Sequence, residues 1–168
     1  MDLGASIVGI TIILICIIPF VLISRNSRKK KQQLVEKLSN YGEKNKYKIS
    51  RYDLWRNSAI GIDDTALGVV FTRKTKDQET WQQIDLIEIQ KCRLINSGRT
   101  VSHTNGNHKV IERLELAFTH RDKSKPETIL EFYNTAYDSL TLSGELQLAE
   151  KWCAIFNDRI AAVVPQKQ

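Results

Sequence analysis

The chain has 168 residues and a formal net charge of +6, with a pI near 9.3. The excess is local: residues 25–51 hold ten Lys or Arg against two Glu, whereas residues 52–168 hold 15 cations against 16 anions, which leaves no surplus to hold a nucleic-acid backbone. Three cysteines, Cys16, Cys92 and Cys153, make neither a CxxC pair nor an even, closely spaced set, so a disulfide framework is excluded and a reducing compartment fits.

Leu3 to Ile23 reads LGASIVGITIILICIIPFVLI, 21 residues without a charged side chain. As a helix rising about 1.5 Å per residue it spans roughly 31 Å, close to the hydrocarbon thickness of a bilayer. A cleaved signal peptide would want cations before a shorter apolar core and a small-residue cleavage site after it. Here only Asp2 precedes the run, and Arg25, Arg28, Lys29, Lys30 and Lys31 follow it. The pattern predicts a transmembrane anchor over residues 1–24, with the N-terminus outside and the rest cytoplasmic, at the plasma (inner) membrane. Ala5 and Gly9 form a small-xxx-small pair that suits a second helix, and Pro19 removes one helical hydrogen bond near the inner end.

Residues 25–47 read as a basic juxtamembrane helix. Leu34, Leu38 and Tyr41, with Val35 beside them, make a narrow apolar stripe on it. Arg25, Arg28, Lys29, Lys30 and Lys31 are its candidate membrane-surface contacts. Cations near an anionic leaflet gain about 1 kcal/mol each, although the same residues also serve as a plain topology signal.

From about Lys48 the helical period gives way to short β-rich segments. Ala59–Ile62 is the predicted first strand, ended by Asp63 and Asp64 as turn formers. Leu67–Thr72 is a second strand and Trp81–Ile84 begins a third, which Leu86–Ile89 finishes or turns. Cys92–Asn96 is a fourth. Ser97–His108 reads as a long polar loop. Its residues Arg99, His103, Asn105 and His108 are the candidate partner-binding set, because long loops on rigid scaffolds carry binding. Ile111–Thr119 alternates, with Leu114, Leu116 and Phe118 on one face, as a half-buried strand requires. After a turn at 121–126, Leu130 and Phe132 share a face over 128–133. The chain then returns to a helix capped by Ser143, with Ala149, Trp152, Cys153, Phe156, Ile160 and Val163 as a wide stripe that a sheet must cover.

Short antiparallel strands closed by one long C-terminal helix resemble the pleckstrin-homology-like barrel of bacterial membrane-associated proteins. The segments Ile60-Gly61-Ile62-Asp63, Leu67–Phe71, Trp81–Ile87 and Ile111–Thr119 carry the resemblance, with the helix around Trp152 and Phe156. It implies an α+β domain over residues 48–164, a small antiparallel β-barrel capped by the C-terminal amphipathic helix, and a tail at 165–168. A different small split barrel or an α+β sandwich has the same order of elements. Relatives that read phosphoinositides place Lys and Arg around the first hairpin. Here that position carries Asp63 and Asp64, and Arg73, Lys74 and Lys76 stand among Asp77 and Glu79. The resemblance therefore implies a compact adaptor for a peptide, a neighbouring subunit or the membrane face.

No GxGxxG, P-loop, HExxH or GxSxG motif occurs. His103, His108 and His120 lack the accompanying ligands a metal site needs. The sequence thus predicts a non-enzymatic protein with no cofactor, no metal, no nucleic acid and no small-molecule substrate. It is expected to dock a protein partner, or another copy of itself, at the membrane. The alternative is an anionic-lipid module that uses the basic helix.

Overall fold

A computed structural model describes the backbone of residues 28–76, 78–103 and 106–163, with backbone alone at 100–103 and 106–109. The chain divides at Lys37/Leu38, and the fold below is that of the unit from Leu38 onward. The predicted anchor, with Cys16, Pro19 and Arg25, and the tail at 165–168 lie outside the described residues. Among the described residues no helix is long and apolar enough to cross a membrane.

Residues 28–44 form helix α1. It stops where Lys46 takes a left-handed backbone (φ 66°) and the Gly42 carbonyl accepts the N–H groups of Asn45 and Tyr47, both at 2.9 Å. Leu38 is buried, and Tyr41 stacks on Trp81 with ring centroids 4.6 Å apart.

Four strands follow: β1 (Arg51–Trp55), β2 (Ser58–Ile62), β3 (Gly68–Lys74) and β4 (Glu79–Asp85). They pair antiparallel in the order β1-β2-β3-β4. β2 is buried on both faces: Ile60 and Ile62 enter the core, while Gly61 lies directly beneath Leu38 and Ile49. The predicted first strand is thus the second, because Arg51–Trp55 precedes it. The turn of this hairpin carries Arg56 (φ 47°), whereas Asp63 and Asp64 belong to the next connection.

Leu86–Glu88 is a 3₁₀ turn, with the Asp85 carboxylate accepting the Ile87 N–H at 2.9 Å. It leads into a second antiparallel sheet, β5 (Ile89–His103), β6 (Gly106–His120) and β7 (Thr128–Asn134). The expected loop at 97–108 is here a correction: β5 and β6 stay paired as far as His103 and Gly106. Thr, Val and Ile along both flanks favour extended backbone. A register shift at Ser97/Gly98 absorbs the irregularity, and a Cβ on Gly98 would stand 2.3 Å from the Val110 carbonyl oxygen.

Helix α2 (Glu145–Val163) closes the domain. Ser143 is not its cap. Gly144, at φ 101°, supplies the first accepting carbonyl to Leu148 at 3.0 Å, and the Glu145 carboxylate turns back onto the Ser143 N–H. Ala149, Trp152, Phe156 and Ile160 are buried as the stripe requires. Phe71 stacks on Phe132 (6.0 Å) to join the inner faces of the sheets, and Phe156 packs against Phe118 and Trp152, each at 5.3 Å.

The α+β class and the helical closure hold, but the sheets do not join into a closed barrel. At one seam side chains bridge the first sheet to β7: Gln82 Nε2 on β4 donates to the Ile129 carbonyl (3.1 Å) and Arg73 Nη1 on β3 to the Glu131 carbonyl (2.8 Å). At the other, α2 reaches β1 through Asp53 and β5 through Cys92. Side chains, and not a backbone ladder, bridge both seams.

Candidate functional site

The second seam contains the groove of interest. α2 is joined to the first hairpin, its Asp64 flank and β1 by polar contacts near seven-residue intervals, which place them along one side of the helix. The Arg56 guanidinium pairs with Glu145. Asp53 Oδ2 accepts Trp152 Nε1–H at 2.9 Å and Lys151 Nζ–H at 2.7 Å. Arg159 Nε lies 3.0 Å from Asp64, which also accepts Arg51 Nε–H and Ser50 Oγ–H, both at 2.8 Å. Between the last two contacts lies an open cavity of about 350 Å³. Ser50 to Asp53 form one wall, and Lys151, Trp152 and Ile155 the other.

The electrostatics of this wall are set locally. The Arg51 hydrogen bond holds the Asp64 carboxyl below its ordinary value against the opposing effect of burial. Burial pushes Asp63 up, but the N–H groups of Ala66 (2.9 Å), Lys48 (2.7 Å) and Thr65 (2.8 Å) outweigh it and lower the carboxyl overall. Asp63 is the turn former its position predicts. Glu145 behaves similarly: burial raises it, while backbone N–H groups and Arg56 bring it down further.

On the opposite flank of α2 the contact is neutral. The Asn157 carboxamide accepts the Cys92 N–H at 3.0 Å and donates to the Cys92 carbonyl at 2.8 Å. Cys153 donates to that same carbonyl at 3.6 Å. Both cysteines are free, and burial pushes the Cys92 thiol well above its ordinary value, with Cys153 adding to the shift.

A larger cavity, about 540 Å³, lies at the β4/β7 seam between Trp81 and Tyr137. Its buried cation, Arg73, is paired with Glu131 (3.1 Å) and Asp138 (2.8 Å) as well as with backbone. The guanidinium thus fastens one sheet to the other.

The residues singled out from sequence do not gather at either cavity. Arg28, Lys29, Lys30 and Lys31 are exposed on the first described turn of α1. Arg99 is exposed on β5 and pairs with Glu112 at 3.1 Å. The register sets His108 opposite Val101 and His103 opposite Gly106, while Asn105 lies outside the described residues. His120 Nε2 is 3.0 Å from Thr128 Oγ1. Among the described residues no three His, Cys, Asp or Glu are grouped as a metal site would require.

Sequence reasoning missed Arg51, Asp53, Lys151 and Arg159. The signal available was the recurrence of Glu145, Trp152 and Arg159 on one side of α2, which is legible as a tether only once β1 is known to exist. Comparison with family models, with curated proteins and with solved structures gives no match.

Proposed function

We propose that this chain is a single-span membrane protein whose domain from residue 48 has a pleckstrin-homology-like fold and docks a protein partner at the cytoplasmic face of the plasma membrane. The observation that carries the reading is the open groove beside β1. Among the described residues β1 pairs with β2 alone, and a free strand edge beside a cleft is a form in which sheets receive extended segments of other chains. A four-stranded sheet, a three-stranded sheet and one closing helix support the fold assignment, with side-chain bridges where a barrel would be laddered. The apolar run at 3–23 and the cations after it support the anchor and its orientation.

We assign no catalysis to the groove. Asp64 is held below its ordinary pKa by a guanidinium, which makes it a weak proton acceptor at neutral pH. Asp53 is engaged by both Lys151 and Trp152. The direct test is cross-linking of the full chain in its membrane followed by gentle solubilisation. A stoichiometric protein partner is expected; repeated recovery of the bare monomer would overturn the reading.

A second reading follows from the exposure of Arg28, Lys29, Lys30 and Lys31 together on α1. This helix would lie with these cations against anionic headgroups. In nanodiscs containing phosphatidylserine, Lys29–Lys31 should resist acetylation at low salt and lose that protection at high salt. Equal labelling in phosphatidylcholine removes this reading and leaves the first intact.

A further inference from the structure

We propose that the groove between β1 and α2 takes an extended acidic segment of a protein partner, which adds to the free edge of β1 as a further strand of the first sheet. The inference rests on the docking reading above and gives it a site and a partner chemistry.

The backbone supplies the first reason. β1 ends the order β1-β2-β3-β4, so the alternate N–H and C=O groups on its outer side have no strand partner among the described residues. α2 cannot serve them with its own backbone, whose hydrogen bonds run along the helix. Where α2 does satisfy a strand edge, at Cys92, it uses the carboxamide of Asn157. Beside Arg51 and Asp53 it presents Lys151 and Ile155 over the buried Trp152, side chains that do not imitate a neighbouring strand's backbone.

Charge supplies the second reason, and it selects the sign of the occupant. In each ion pair around the groove the carboxylate is the deeper member. The Lys151 side chain is 55 % exposed against 30 % for Asp53, and Arg51 and Arg159 are 41 % and 42 % exposed against 25 % for Asp64. Three cations therefore face outward over two recessed carboxylates. A strand laid along β1 turns alternate side chains to opposite sides. Acidic residues on the side turned to α2 meet Arg51 and Lys151, and apolar residues on the other side lie beside the exposed Tyr52.

The test uses the full chain in phosphatidylcholine nanodiscs. The probe is a fluorescein-labelled heptapeptide of alternating Glu and Val, followed by fluorescence anisotropy. Saturable binding is expected, with none for the corresponding Lys/Val peptide. Two further forms, N-methylated on odd or on even residues, should separate: one binds, and the other is weakened at least about tenfold, because an added strand uses only one of its edges. The double substitution K151E/R159E should weaken binding by at least about tenfold, since both outward cations become like charges to the ligand. K125E, on the β6–β7 turn, should leave it unchanged, with circular dichroism confirming that both variants are folded. Equal binding of the acidic and basic peptides, equal binding of both methylated forms, or no binding at all overturns the proposal. If the peptide fails while wild type and K151E/R159E cross-link the same membrane partner, the groove assignment falls and docking stands. If the peptide binds as expected and no partner is recovered, the docking reading falls and the groove chemistry stands.

Discussion

One helix, α2, borders two strand edges and meets them by different chemistry. Against β5 it offers Asn157, whose carboxamide satisfies the N–H and the C=O of Cys92 together, and Phe156, which packs into the sheet on Phe118. Against the β1 side it offers Glu145, Lys151, Trp152 and Arg159, each bonded to a side chain rather than to the strand's main chain. A short neutral amide closes an edge because it imitates a neighbouring strand. Longer charged side chains hold a strand in place while leaving its backbone free. The difference explains why the cavity opens on one flank of α2.

The comparison breaks first on the packed side. Phe156→Ala should destabilise the full chain by about 3–5 kcal/mol, the range for emptying a phenyl-sized site in a core. The urea midpoint of the protein in detergent micelles, followed by tryptophan fluorescence, measures it. Asn157→Ala should cost about 1–3 kcal/mol, because it strands the buried Cys92 N–H and leaves the Cys92 carbonyl with the weak Cys153 thiol donor. Its signature is faster amide exchange at Cys92. A change at Asn157 no larger than that of an exposed substitution would show that water replaces the carboxamide and that the two flanks are not distinct.

The two flanks were unequally legible in the sequence. The apolar face of α2, from Ala149 to Ile160, follows from helical spacing alone, and the alternation of Leu114, Leu116 and Phe118 gives its counterpart in the sheet. Nothing local marks β1. Arg51–Trp55 is RYDLW, two charges among three large apolar side chains, and its strand character comes from pairing with β2. With β1 unseen, Asp53 and Lys151 were two unrelated surface charges 98 residues apart. The 97–108 segment erred for a related reason: polar composition reads as loop, while the ladder with β6 is a tertiary fact that single residues do not announce. An Asn-Gly pair at 105–106 between Val- and Thr-bearing flanks was the available hairpin signal.

Smaller effects come with pH, and the two sides respond at opposite ends of the scale. Asp63, Asp64 and Glu145 all have folded-state values below the ordinary carboxylate range. Their contribution to stability is complete above the unfolded value of about 4 and is lost as pH falls through the folded values. The urea midpoint should therefore decline on acidification below about pH 4, and Asp63→Asn should shrink that decline. Cys92 works the other way. Its thiol is held above the ordinary value of 9.0, so above that pH the unfolded chain gives up a proton that the folded one keeps. Stability should fall on the alkaline side, and Cys92→Ala should flatten that limb.

The finest test is Lys151→Met, which keeps the aliphatic stem along α2 and removes the ammonium. Its partner Asp53 retains the Trp152 indole N–H at 2.9 Å, so the carboxylate is not stranded. With the Lys151 side chain 55 % exposed, the loss of stability should stay below about 1 kcal/mol, the usual worth of a solvent-facing pair. Affinity for the acidic heptapeptide should nevertheless drop, because the ammonium is the outermost charge on the helix side of the groove. Asn157→Ala should do the reverse, lowering stability without weakening the peptide. If Lys151→Met lowers the urea midpoint as far as Asn157→Ala does, the β1 contacts hold the fold as the β5 contacts do, and the division between a closing flank and a binding flank is lost.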